Sequence, residues 1–254
     1  MESRRPPALA VEGLGLRIGG VSIVEDVGLE VREGEFLVII GPNGAGKTTL
    51  FNLLSGFARP TAGRITFAGR DVTNAAPFVR ARLGLGRTFQ TSTVFAGLST
   101  LENVRLAASA ALGTSAHAWD LADREPAPIA RAKAALAEVG LENRGAVTAA
   151  LLSHGEKRKL DLAILLCTEP SVVLLDEPTA GMAVEDVGDM VALISRIHRE
   201  QAKTVLMVEH RMDLVMSLAD RMAVMHHGRL LALDTPERIV ANETVQSAYL
   251  GDPL

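Results

Sequence analysis

The chain has 254 residues, 48% of them apolar and 22% charged, a balance that excludes a disordered chain. A formal net charge of −4 provides no strong basic field, so nucleic acid is not expected as a partner; the single cysteine, Cys167, excludes a disulfide framework or a multi-cysteine metal site. No apolar run approaches the ~18–20 residues that span a bilayer, and no apolar signal core follows the charged start MESRRPPALAVEG, so a cytoplasmic chain with one elaborated domain is expected.

In chain order, residues 22–31 partly alternate and are preceded by Gly13, Gly15, Gly19 and Gly20. With the strand pattern at 64–67 they predict an antiparallel patch flanking the core. Residues 36–40 (FLVII) are of strand length and apolar throughout, as in a parallel strand covered on both faces. Leu50, Leu53, Leu54 and Phe57 then recur at helical spacing. From about 92 to 153 the chain is Ala-rich and predicts helices over 102–110 and 129–139, with a loop over 113–128. Residues 172–175 and 204–208 repeat the buried-strand pattern, followed by amphipathic stretches at 184–199 and 212–219. Strands at 222–225 and 230–233 and a last helical stretch opened by Thr235-Pro236 complete the chain. The expected fold is α/β: a mostly parallel sheet, an N-terminal antiparallel β part and a helical insertion.

Gly41-Pro42-Asn43-Gly44-Ala45-Gly46-Lys47-Thr48 fits G-x-x-x-x-G-K-[ST] without a gap. The glycines let backbone N–H groups converge on phosphate oxygens, Lys47 reaches the β/γ-phosphates, and the Thr48 hydroxyl suits Mg²⁺. Asp176 ends the second buried run, where ligands of open α/β sheets sit, and is a candidate for the Mg²⁺ shell. Glu177 follows it, placed to orient an attacking water. His210 closely follows the third run, so each buried strand leads into chemistry. The chain has no N-K-x-D element of the kind a GTPase uses for guanine. Ser153 and Glu156 have capping-box spacing, which satisfies a helix start with no ligand at all; Gly155 beside them equally permits close approach of an anion.

Taken together, these motifs resemble the ATP-binding subunits of ABC transporters, in family order over nearly the whole chain. Residues 41–49, through Thr49, look like Walker A, 172–176 like Walker B and 152–156 like the signature motif. Glu177 is similar to the catalytic glutamate, Gln90 to the Q-loop glutamine that touches Mg²⁺, and His210 to the switch histidine. The strings GRTFQ, LENV, LSHGEKRKL, VEH and AYLG resemble the branched-chain (hydrophobic) amino-acid uptake branch, with urea-uptake ATPases close by.

The resemblance implies a P-loop NTPase core (1–91 and 154–254) with a helical subdomain (92–153). It implies ATP and Mg²⁺ as cofactors and a second ATPase subunit, often a different protein, closing head to tail. The signature residues Ser153, Gly155 and Glu156 would then cover the partner's nucleotide. Two integral membrane permease subunits, an extracytoplasmic solute-binding protein and a place on the cytoplasmic face of the inner membrane complete the expectation. The alternatives are a urea or amide importer ATPase and a soluble non-transport ABC ATPase.

Three positions depart from the family pattern. His154 stands where the widespread signature has Gly, Ala183 stands at a position that is often Asp, and Ile18 occupies the slot where adenine usually stacks on an aromatic ring. Elsewhere, Cys167 is expected in the core, and His226 and His227 are expected on opposite faces of a strand end, a poor metal pair. Arg80, Arg82 and Arg87 are expected on a solvated face, with contact to a permease loop or a phosphate as the alternative. Phe95 and Leu98 divide between ordinary core and a cleft for a permease helix.

Overall fold

The structure is a computed structural model that describes residues 6–89, 94–113 and 126–250, with side chains through residue 248. The elements are β1 (Leu9–Ile18), β2 (Val21–Val31), β3 (Phe36–Ile40), α1 (Lys47–Ser55), β4 (Ala62–Phe67), β5 (Arg70–Asp71), α2 (Pro77–Arg82), β6 (Leu85–Arg87), α3 (Thr100–Leu112), α4 (Pro126–Glu138), α5 (His154–Leu166), β7 (Val172–Asp176), α6 (Val184–Gln201), β8 (Thr204–Val208), α7 (Met212–Leu218), β9 (Arg221–His226), β10 (Arg229–Asp234), α8 (Pro236–Val240) and α9 (Glu243–Leu250). They divide into two compact units, one of Met1–Leu85, Val172–Glu177 and Ser195–Leu254, the other of Gly86–Ser171 and Pro178–Ile194.

In the first unit, β3 pairs in parallel with β8 and β9, β7 pairs in parallel with β8, and β10 pairs antiparallel with β9. Every residue of β3, β7 and β8 is buried, which explains why these runs are apolar without alternation. Leu37, Ile39, Leu174, Leu206 and Val208 join Leu50, Leu53 and Leu54 of α1 in one core cluster. On the other side Phe36 meets the ring of His198 edge-on, at 5.2 Å and 81°. Each fully buried leucine contributes about 1.5–3 kcal/mol, so truncating Leu50 alone removes a large share of a domain's margin. The expected antiparallel patch is a separate four-stranded sheet in the order β2-β1-β4-β5.

α2 lies outside the sequence expectations: at six residues it is too short to display a helical period. It changes the reading of the arginines. Arg80 is not solvated but 1% exposed. Its Nη1 donates to the Leu53 and Leu54 carbonyls at 2.6 Å each, its Nε to the Ala75 carbonyl and its Nη2 to the Thr73 carbonyl, both at 3.1 Å. The Leu53 carbonyl also accepts from the Gly56 N–H, and both it and the Leu54 carbonyl belong to the last turn of α1, where a cation is favoured. Arg82 is exposed over the Phe78 ring at 5.7 Å, and Arg87 lies 5.0 Å from the Phe89 ring.

In the second unit, α3 packs against α4, and α5 packs against both. Ser99 caps α3, its Oγ accepting from the Glu102 N–H. The unit is wider than the 92–153 stretch read from sequence, because α5 carries an apolar side (Leu160, Leu162, Ala163 and Leu166, all buried) that the α3–α4 pair covers. Cys167 is buried as expected, and burial pushes its thiol up to about 12. Phe95 is not core: its ring is 62% exposed, while buried Asn103 clamps its backbone, accepting from the Phe95 N–H at 2.7 Å and donating to its carbonyl at 3.1 Å.

Candidate active site

The parallel register sets the chemistry of the first unit. Ile39 is level with Val208, and Val208 with Asp176, so Gly41, Glu177 and Glu209 leave one edge of the sheet together. The phosphate loop occupies that edge. Gly46, at φ +95°, precedes the first turn of α1 and has no side chain to cap it, so the helix N–H groups stay available to an anion. Thr48 is exposed and Thr49 half-buried on this first turn, while Asn43 and Gly44 are exposed on the loop. Lys47 is buried and donates from Nζ to the carbonyls of Gly41 at 2.7 Å and Pro42 at 2.9 Å. Burial pulls its ammonium below the ordinary lysine range, opposed by the nearby carboxylates of Glu177 and Asp176.

The shape of this loop depends on distant chain. The turn between β9 and β10 donates the Gly228 N–H to the Ala45 carbonyl at 3.1 Å, and the Gly228 carbonyl accepts from Glu25 N–H at 2.8 Å. A side chain at Gly41 would begin 2.2 Å from the Met225 carbonyl oxygen, and one at Gly46 would begin 2.9 Å from that of Ile23. A side chain at Gly228, at φ +78°, would begin closer still to the Ile23 carbonyl oxygen, at 2.6 Å. The sequence carries no motif for this interlock beyond a glycine after two histidines. Those histidines correct an expectation. His227 sits at φ +46°, outside β9, so its ring is not flipped away but stands 4.0 Å from that of His226. Two imidazoles do not make a metal centre, and among the described residues no group of three or more His, Cys, Asp or Glu side chains is placed to hold a metal ion.

Asp176 is 2% exposed at the end of β7. Glu177 adopts φ +48°, a left-handed conformation uncommon for a residue with a side chain, and its N–H donates to the Val208 carbonyl at 3.0 Å. Its Oε1 stands 2.6 Å from His210 Nε2. The His210 N–H donates to the carboxylate of Glu209, which is buried. The loop lysine, the two carboxylates and the histidine thus converge where a nucleotide's phosphates would be cradled. Asp176 and the Thr48 hydroxyl are hard oxygen donors and fit Mg²⁺. Ile18 is 62% exposed and faces Val21, 61% exposed, across the β1–β2 hairpin. Gln90 lies outside the described residues.

In the second unit the capping box read from Ser153 and Glu156 forms. Ser153 Oγ accepts from the Glu156 N–H at 3.1 Å, and Glu156 Oε2 accepts from the Ser153 N–H at 2.9 Å. That backbone bond, reinforced by Arg144 at 2.8 Å, holds the Glu156 carboxyl below its ordinary range. Ser153 and His154 are exposed and Gly155 is buried.

A family profile described as "ABC transporter" matches residues 24–180. The high-affinity branched-chain amino acid transport ATP-binding protein LivG of Salmonella typhimurium is 39% identical over 97% of this chain and 98% of its own length. BraF of Pseudomonas aeruginosa, described in the same words, is 39% identical with the same coverage, and LivG of Escherichia coli 36%. Among solved structures, a nucleotide-free ATP-binding cassette from an ABC transporter superposes with a TM-score of 0.85 at 26% identity, covering 97% of this chain and 100% of that one. The ADP conformation of MJ1267, also an ABC transporter cassette, gives 0.85 at 27% identity, with 97% and 99% covered.

Proposed function

This chain belongs to the ABC transporter family of ATP-binding proteins, and from that premise we propose that it is the ATP-hydrolysing subunit of an importer for branched-chain or similar hydrophobic amino acids. Subunits of this family hydrolyse ATP and work with membrane permeases. No helix among the described residues is long and apolar enough to cross a membrane, which accords with attachment through partner chains at the inner face of the membrane. The observation that carries the reading of the site is the Glu177–His210 contact at the sheet edge that also bears the phosphate loop. The solute class rests on the printed names of relatives matched over nearly their whole length.

In this mechanism, residues 41–49 wrap the phosphates with backbone N–H groups, and Lys47 Nζ exchanges the Gly41 and Pro42 carbonyls for β/γ-phosphate oxygens. Thr48 and Asp176 would hold Mg²⁺, with Gln90 as a further ligand that the family resemblance implies, and the ion would supply charge neutralisation for the transferring phosphoryl group. The Glu177 carboxylate takes a proton from the attacking water as the water oxygen bonds to the γ-phosphorus and the bridging oxygen leaves with ADP, and His210 Nε2 holds that carboxylate in place through Oε1. Ser153, Gly155 and Glu156 close over the nucleotide of a second ATPase subunit. A solute-binding protein delivers the amino acid to two permease subunits, whose state follows the closing and opening of the ATPase pair.

The test is reconstitution of the chain with its permease and binding-protein partners in proteoliposomes. Leucine, isoleucine or valine should stimulate ATP hydrolysis and be taken up. Failure to co-purify with any integral membrane subunit would overturn the importer reading, and stimulation by urea alone would overturn the solute.

A further inference from the structure

We propose that His154 is a positioning residue that ties the turn following Glu177 to the start of the signature helix, an inference that rests on the ATPase reading above. His154 is the first residue of α5, and its Nε2 lies 3.2 Å from the Ala180 carbonyl oxygen. A carbonyl only accepts, so Nε2 carries the proton. The neutral Nε2–H tautomer and the imidazolium both donate there, so the tether does not depend on which of them is present.

The turn is shaped to receive the ring. The Met182 N–H donates to the Thr179 carbonyl at 3.2 Å, closing the turn, and Gly181 within it sits at φ +73°. A side chain on Gly181 would begin 3.0 Å from His154 Nε2, so the bare glycine leaves space that the imidazole takes up. The next residue of α5 makes a second seat. A side chain on Gly155, which is buried, would begin 2.9 Å from Asp186 Oδ2 and 3.5 Å from Met182 Cε. Asp186 in turn donates its N–H to the Ala183 carbonyl at 3.0 Å. The turn 179–183 therefore rests on the first two residues of α5, one supplying a donor and the other the room. A glycine at 154, as in the widespread signature, would leave the second contact and remove the first. Two of the chain's departures from the family pattern, His154 and Ala183, thus meet at one small structure, directly after the residue proposed to take the water proton.

The consequence is that ordering of the turn is built into this subunit rather than left to its partner. Three variants separate donor from bulk: His154→Gly removes both, His154→Leu keeps bulk without a donor, and His154→Gln carries an N–H as far from the backbone as Nε2. In the assembled transporter, the Gly and Leu variants should lower kcat for ATP about tenfold with KM within about twofold of wild type, and the Gln variant should return kcat to within about twofold. In the purified full chain, backbone hydrogen exchange over 178–184 should speed up in the Gly and Leu variants and not over 41–48. Wild-type kcat in the Leu variant, or unchanged exchange over 178–184 in the Gly variant, would overturn the tether. A wild-type assembly without ATP hydrolysis would instead overturn the ATPase reading, while the exchange measurement still reports on His154.

Discussion

Oε1 of Glu177 and Nε2 of His210 stand 2.6 Å apart, at the ends of two adjacent parallel strands. The contact aims a carboxylate whose own backbone is held at φ +48°. Glu177→Gln keeps the size and a partner for the imidazole but cannot accept a proton. Hydrolysis is expected to fall about 10²–10⁴-fold while ATP stays bound and the paired subunits accumulate. Phosphate release and size-exclusion chromatography in ATP check this; hydrolysis at the wild-type rate would remove Glu177 from the chemistry.

Ile18 and Val21 are exposed and paired across the β1–β2 hairpin, and if adenine binds there, as proposed from the family pattern, it meets an aliphatic surface in place of a ring. A base–aromatic stack contributes about 1–3 kcal/mol, so Ile18→Tyr should tighten ATP binding by about tenfold. The wild-type chain should bind GTP nearly as well as ATP. Calorimetric titration with both nucleotides measures both statements, and strong wild-type preference for ATP would refute the second.

Arg80 donates to four backbone carbonyls. Arg80→Met leaves those groups buried without their donor and should destabilise the chain by about 3 kcal/mol. Arg80→Lys keeps the charge but loses the planar fork, and should recover only part of the loss. Urea denaturation of the three proteins is the measurement. A Met variant as stable as wild type would show that these carbonyls find other partners.

Gly228→Ala places a methyl group 2.6 Å from the Ile23 carbonyl oxygen at a backbone conformation that favours glycine. The turn must shift, and with it the bond to Ala45. Weakening of ATP binding by about tenfold is expected, with the melting temperature of the nucleotide-free chain lowered only modestly. Unaltered ATP affinity would mean that the phosphate loop holds its shape without this turn.

The parts of the fold that were legible are those where one physical demand dominates a contiguous stretch. Residues 36–40, 172–175 and 205–208 are covered on both faces and are apolar at every position, and the phosphate loop and the S-x-x-E cap are local strings. What stayed hidden depends on partners remote in sequence. Nothing in the letters around Arg80 shows that the carbonyls of Leu53 and Leu54 will take its charge. The alternation of a strand does not hold for His226 and His227, because the strand ends between them and the backbone turns left-handed. Residues 154–166 have the same helical period whichever unit they join; only the position of α3 and α4 decides it.

The eight residues from Gly41 to Thr48 look self-contained on paper. In the folded chain, two of the glycines in that string are bare because carbonyls of residues 23 and 225 occupy the space beside them. The loop is cast in a mould whose halves lie about two hundred residues apart in the sequence. A truncated fragment that stopped before β9 would still spell the motif and would have lost half of what gives it its form, and during synthesis the loop cannot take its final shape until residues 225–228 have been made.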